Sequence, residues 1–106
     1  MNKMYVLVRK DLPRSQRTVQ ACHVVAEYLL KEYVFTNLDT IPSWDNGTMI
    51  VYEVANKEDL KLWQQKLEKY TSHLFYEPDV DEYTSLCCVL SDQEAEQTEI
   101  NKLYLL

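Results

Sequence analysis

The sequence predicts an α/β fold: a small three-layer domain with a four-stranded mixed sheet in the order β-α-β-α-β-β-α. Three observations lead there. Apolar runs of strand length alternate with stretches of helical periodicity, the pattern of a mainly parallel sheet with helices on its faces. The first run, Tyr5-Val6-Leu7-Val8, is apolar at every position, which suits a central strand covered on both sides. The third and fourth strand-like runs are joined by only about six residues. That is too short for a parallel crossover, so the two are expected to pair antiparallel.

Each element follows from local chemistry. After the first strand, Asp11-Leu12-Pro13 breaks the extended run, and Asp11 or Ser15 offers a side-chain oxygen to cap a helix. The helix is expected from about Gln16 to about Val34. At about 100° per residue, Val19, Cys22, Ala26, Leu29, Leu30 and Tyr33 share one face, assigned to the sheet. Gln16, Gln20, His23 and Glu27 form a polar stripe. Ala21, Val24, Val25 and Tyr28 fall on the remaining side, where an apolar surface suggests a partner; a homodimer through Val24 and Tyr28 is expected. Phe35 to Thr48 reads as a loop pinned by Trp44. Met49 to Val54 is the second strand. Asn56 caps a second helix whose core stripe is Leu60, Trp63, Leu67 and Tyr70, with Glu58 and Asp59 complementing its dipole. Ser72 to Tyr76 is the third strand, stopped by Pro78, and Thr84 to Leu90 the fourth. Ser91 or Asp92 caps a polar last helix running to about Lys102.

Composition narrows the function classes. A chain of 106 residues is expected to form a single domain over residues 1–106, and 46% hydrophobic residues suit a packed core. One Gly and three Pro speak against a low-complexity segment. No apolar run is long enough to span a bilayer, and Met1 to Lys10 lacks the pattern of a signal peptide, so no membrane association and a cytoplasmic location are expected. The three cysteines have no disulfide-framework spacing. Cys87 and Cys88 should point to opposite faces of a strand. A metal site from Cys22, His23, His73, Cys87 and Cys88 lacks ligand spacing, so neither metal nor cofactor is expected.

The formal net charge is −6, from 17 acidic against 11 basic residues, a poor overall field for nucleic acid. The distribution is uneven. Arg9, Lys10, Arg14 and Arg17 crowd around the first turn. Between Lys69 and Lys102 there is no Lys or Arg, while Glu77, Asp79, Asp81, Glu82, Asp92, Glu94, Glu96 and Glu99 lie there.

The single Gly removes most nucleotide-binding fingerprints, and neither G-x-S-x-G nor H-E-x-x-H occurs. What remains is R-x-D-L at Arg9 to Leu12, a polar turn, and Q-x-x-H at Gln20 and His23. A late Asp79 is followed by Thr84 and another apolar strand. Together with the order of elements, this pattern resembles the type II peptidyl-tRNA hydrolases, over nearly the whole chain. The terminal Lys102-Leu103-Tyr104-Leu105-Leu106 also resembles that family's strand-like tail.

The resemblance implies hydrolysis of the ester between a peptide and the 3′ ribose of tRNA. Such chemistry needs a positioned water, a proton acceptor and donors for the developing oxyanion. On this reading Gln20, His23, Asp79 and Thr84 form the catalytic set, and Lys10, Arg14, Gln16 and Arg17 bind the substrate. Family members have a Gly-Lys-rich turn before the helix. Here the turn is Pro13-Arg14-Ser15-Gln16, with Gln16 where the lysine is expected, as in a compact variant of the kind some bacteriophages encode. The alternative expectation is a catalytically inactive relative that binds a protein or ligand as a homodimer.

Overall fold

In the computed structural model, residues 1–34 and 43–106 are described. The first strand, β1, spans Asn2–Arg9, followed by α1 (Arg14–Leu29), β2 (Met49–Val54), α2 (Lys57–Lys66), β3 (Ser72–Glu77), β4 (Glu82–Ser91) and α3 (Asp92–Thr98). This is the expected order. The sheet runs β2-β1-β4-β3. β1 pairs parallel with β2, while β4 pairs antiparallel with both β1 and β3. The turn joining β3 to β4 is shorter than expected, and Asp81 adopts a left-handed conformation in it (φ 55°), which the short polar side chain of aspartate tolerates. Residues 104–106 lie along β2, with the Glu53 amide donating to the Tyr104 carbonyl and the Leu106 amide to the Val51 carbonyl.

Strand alternation divides the core into two layers. Met4, Val6, Val8, Cys87 and Val89 meet α1 on one side. Tyr5, Leu7, Leu86, Cys88 and Leu90 meet Leu60 and Leu67 of α2, Ala95 of α3 and Ile100 on the other. Cys87 and Cys88 thus face opposite layers, as their adjacency requires. Trp44 is buried on the α1 side and its Nε1 donates to the Thr48 carbonyl at 2.8 Å. No helix among the described residues is long and apolar enough to cross a membrane.

Capping separates the helices. Asn56 accepts from the Asp59 amide at 3.0 Å and starts α2. Ser91 and Glu94 form a reciprocal capping box on α3. That helix is shorter than expected; it ends at a left-handed Glu99 and gives way to a 3-10 turn, Ile100–Lys102. Neither Asp11 nor Ser15 caps α1. Pro13 occupies that position without a side-chain bond, and the helix starts at Arg14. Its last turn widens into a π-helical turn, Leu30–Val34.

The face of α1 is the main correction. Gln20, Ala21, Val24, Val25 and Tyr28 are the buried residues. Val24 and Tyr28 are both 0% exposed and pack on the sheet, so they offer no homodimer surface. Of the face assigned to the core, Val19, Cys22, Ala26 and Leu30 are exposed, Leu30 at 58%, and only Leu29 packs against the core. The side chain of Tyr33 and residues 35–42 of the expected loop lie outside the described part of the structure. α1 carries two apolar faces, and the deciding residue is Gln20. Counted as a solvated amide, it points the helix the wrong way. The sheet supplies partners for both ends of that amide, which removes most of the cost of burying it.

Candidate functional site

The polar stripe of α1 lies over β3. Alternation puts His73, Phe75 and Glu77 on the face of β3 toward α1, and each meets one member of the stripe. Gln20 Nε2 donates to Glu77 Oε1 at 2.9 Å. The His23 ring stacks on Phe75 with centroids 5.1 Å apart and 11° between planes. His73 Nε2 donates to Glu27 Oε1 at 2.7 Å. Burial works against the Glu27 carboxylate, but hydrogen bonds from His73 and Lys31 hold its pKa below the ordinary value.

Gln20 is 2% exposed and makes a second bond: Thr84 Oγ1, itself 0% exposed, donates to Gln20 Oε1 at 2.6 Å. The neighbouring Ser85 hydroxyl donates to the Gln20 backbone carbonyl at 2.9 Å. Two adjacent strand residues reach one helix because β4 carries a bulge. The register runs Phe75↔Ser85 and then Tyr76↔Tyr83, leaving Thr84 as the extra residue. Without the bulge, Thr84 would share the face of Leu86, toward α2. A bulge of this kind re-aims a side chain at a functional position. The product is a chain of hydroxyl, amide and carboxylate: Thr84, Gln20, Glu77.

Sequence reasoning named Gln20 and Thr84 as partners in one site, and the structure brings them together. His23 lies one helical turn along, exposed to solvent above Phe75. Asp79 is not part of the cluster. It sits exposed in the turn of residues 78–81, and the half-buried Glu77 supplies the carboxylate. One sequence signal pointed to Glu77: period-two alternation from Phe75 places it under α1. Gln16 is exposed at the start of the helix, where its backbone N–H donates to the Pro13 carbonyl.

The basic residues divide into two groups. Arg14 and Arg17 line a shallow cleft of about 380 Å³ with Thr18, Glu53 and Leu106, on the β2 side of the α1 N-terminus. Arg17 Nε donates to the Leu12 carbonyl at 2.9 Å and holds the turn. Lys10 is exposed just past β1, with its amide on the Val54 carbonyl. Arg9 behaves differently. It is 6% exposed, with Nε and Nη2 on the two Asp11 carboxylate oxygens at 2.9 and 2.8 Å. Its Nη1 reaches Glu82 Oε2 at 2.8 Å and the Tyr83 carbonyl at 3.0 Å. Hydrogen bonding to Arg9 holds the Asp11 carboxyl below its usual range, and Arg9 together with Lys57 does the same for Glu82. Arg9 ties the β1–α1 turn to the β3–β4 hairpin, a role invisible in sequence because its hairpin partners lie more than 70 positions away.

Nothing among the described residues gathers three or more His, Cys, Asp or Glu groups in a way that could hold a metal ion. The arrangement holds one carboxylate oriented by an amide on the β3 side of α1, with an exposed imidazole one helical turn along; the Arg14–Arg17 cleft lies on the β2 side of the same helix, apart from it. No protein-family model matches the sequence, and no curated protein matches it. Among solved structures, the chain is similar to a protein of unknown function from Agrobacterium tumefaciens strain C58, with a TM-score of 0.61 over 92% of each chain at 12% identity. At that identity the likeness is one of fold.

Proposed function

We propose that this chain is an ester hydrolase resembling the type II peptidyl-tRNA hydrolases and cleaves the bond between a peptide and the 3′ ribose of tRNA. The observation that carries the reading is the Thr84–Gln20–Glu77 chain on the β3 side of α1; Arg14 and Arg17 lie at the N-terminus of the same helix, and Lys10 in the turn before it. Thr84 donates its hydroxyl hydrogen bond to the Gln20 amide oxygen, which is no base, so Thr84 is not an activated nucleophile. That hydrogen bond fixes which way the amide points, and the amide in turn orients Glu77. Gln20 and Thr84 are buried behind the carboxylate and act through it.

Glu77 is the group presented to a water molecule. It takes a proton as the water oxygen attacks the ester carbonyl carbon, and returns that proton to the ribose oxygen as the acyl–oxygen bond breaks. On this reading His23, exposed one helical turn along, hydrogen-bonds the water or the carbonyl. Arg14, Arg17 and Lys10 meet phosphates, with guanidinium forks suited to their geometry; neither Arg14 nor Lys10 makes an ion pair among the described residues. The departures from the family pattern leave Gln16 with no required part in this scheme.

Peptide release from peptidyl-tRNA by the purified protein tests the reading. Release above the buffer rate by the wild type, lost in Glu77→Gln, supports it; release at the buffer rate by the wild type sinks it. A second reading is a non-catalytic module that binds a protein or ligand. The exposed apolar stripe of Val19, Ala26 and Leu30 favours it. On that reading tRNA binding is weak and nearly insensitive to salt, because few phosphate contacts release few counterions.

A further inference from the structure

We propose that Arg9 is a positioning residue for this site: its guanidinium fixes the bulge in β4 that turns Thr84 under α1, and so sets how Gln20 presents Glu77. Backbone pairing between β1 and β4 is regular from Asn2↔Ser91 to Val8↔Ser85 and ends there. Arg9 is the next residue of β1, and where the ladder stops its side chain takes over, with Nη1 on the Tyr83 carbonyl and on Glu82. Tyr83 is the residue just before Thr84. The bulge is therefore held on both sides, by Ser85 in the last regular β1–β4 pair and by Tyr83 on the guanidinium.

The same guanidinium grips Asp11 with a bidentate bond. Asp11 adjoins Leu12, whose carbonyl accepts from Arg17 of α1. One buried cation thus locks the hairpin that carries Thr84 to the turn that launches the helix carrying Gln20. The acceptors lie in different directions around it: a carboxylate meeting two nitrogens, a second carboxylate and a backbone carbonyl. The planar fork of arginine serves such a set, whereas a lysine ammonium is a point charge and cannot reproduce it. Asp11 and Glu82 balance the buried charge, and Lys57 pairs with the outer oxygen of Glu82 at 3.3 Å.

Released from Arg9, the Glu82–Tyr83 segment is free to shift the extra residue into the adjoining turn. Thr84 then returns to the face of Leu86, and Gln20 loses its hydroxyl donor. The test is hydrogen exchange by nuclear magnetic resonance on the full chain, read at the Gln20 side-chain amide and the Thr84 backbone amide, with Leu7 and Val89 as controls. In Arg9→Lys, exchange at Gln20 and Thr84 is expected to quicken by about tenfold or more, the scale of one net hydrogen bond, with the controls unchanged. Unchanged exchange at Gln20 and Thr84 overturns the proposal.

Should Arg9→Lys fail to fold, Glu82→Gln at a half-exposed position takes its place. Faster exchange at Gln20 then supports the proposal, and unchanged exchange overturns it. Global unfolding of Glu82→Gln as well overturns it too, since Arg9 would then hold the whole fold rather than the bulge. The consequence for turnover, a lower kcat at unchanged KM in Arg9→Lys, rests on the ester-hydrolase reading. A wild-type protein without activity would end that reading and leave the exchange result standing.

Discussion

The pairing of Gln20 with Thr84 predicts a specific failure of additivity. Thr84→Val keeps the volume of the side chain, removes the hydroxyl, and leaves the Gln20 amide oxygen without its 2.6 Å donor. Stranding a buried polar group in this way costs about 1–3 kcal/mol. Gln20→Leu strands the Thr84 hydroxyl at a similar cost. It also removes the 2.9 Å bond to Glu77, an interaction with a charged acceptor worth about 1.5–3 kcal/mol before water replaces part of it at the half-exposed carboxylate. The double variant strands neither partner and loses only the Glu77 bond. Urea denaturation of all four proteins should therefore give a coupling of at least about 2 kcal/mol, one stranding cost from each single variant, with the double variant more stable than the sum of the singles implies. In a domain of this size 1 kcal/mol is about 4–8 °C in Tm, so thermal unfolding reports the same cycle. Additivity within about 0.5 kcal/mol would refute the reasoning, because a buried bond between the two residues cannot be silent.

Other consequences are as direct. Glu77→Gln should lower peptide release by about 10²–10⁴-fold, the range for losing a general acid–base group, while Asp79→Asn leaves it unchanged; equal losses would move the base into the turn. Arg9 holds Asp11 and Glu82 below their ordinary values. A carboxylate depressed in the folded state stabilises above its unfolded value, about 4, and that stability goes as pH falls through the folded value. Wild-type Tm should therefore drop more steeply below about pH 4 than that of Arg9→Met, and parallel curves would refute this. Burial raises the Cys87 thiol well above its ordinary value and pushes Cys88 up to about 12, while Cys22 is exposed. A thiol reagent at neutral pH should modify Cys22 alone in the native protein and all the cysteines in denaturant, as counted by mass spectrometry. Val24→Ala should cost about 1.5–3 kcal/mol, and Leu30→Ala less than about 0.5 kcal/mol, by urea denaturation.

Much of this fold was legible without coordinates because it rests on local chemistry. The apolar run at Tyr5 to Val8 demanded cover on both faces, and β1 is central in the sheet. The short connection before Thr84 demanded an antiparallel pair, and β3 and β4 form one. Asn56 and Ser91 offered side-chain oxygens where helices begin, and both caps are made. The orientation of α1 was not legible. Two apolar faces competed on one helix, and which one turns inward depends on whether the neighbouring polar residue finds partners. Gln20 finds Thr84 and Glu77, and those partners come from strands more than 50 positions away.

The candidate site divides along the same line. Sequence by itself determined the order of the elements and the basic turn around Arg9 to Arg17, since each depends on residue types and short spacings, while Gln20 and Thr84 were named only through the family resemblance. Only the tertiary structure decided that Glu77 rather than Asp79 supplies the carboxylate, that Arg9 is a buried clamp and not a surface charge, and that Val24 and Tyr28 are core. The physical reason is the bulge at Thr84. A single extra residue reverses which face a strand side chain points to, and what holds that residue in place is a guanidinium from the far end of the chain.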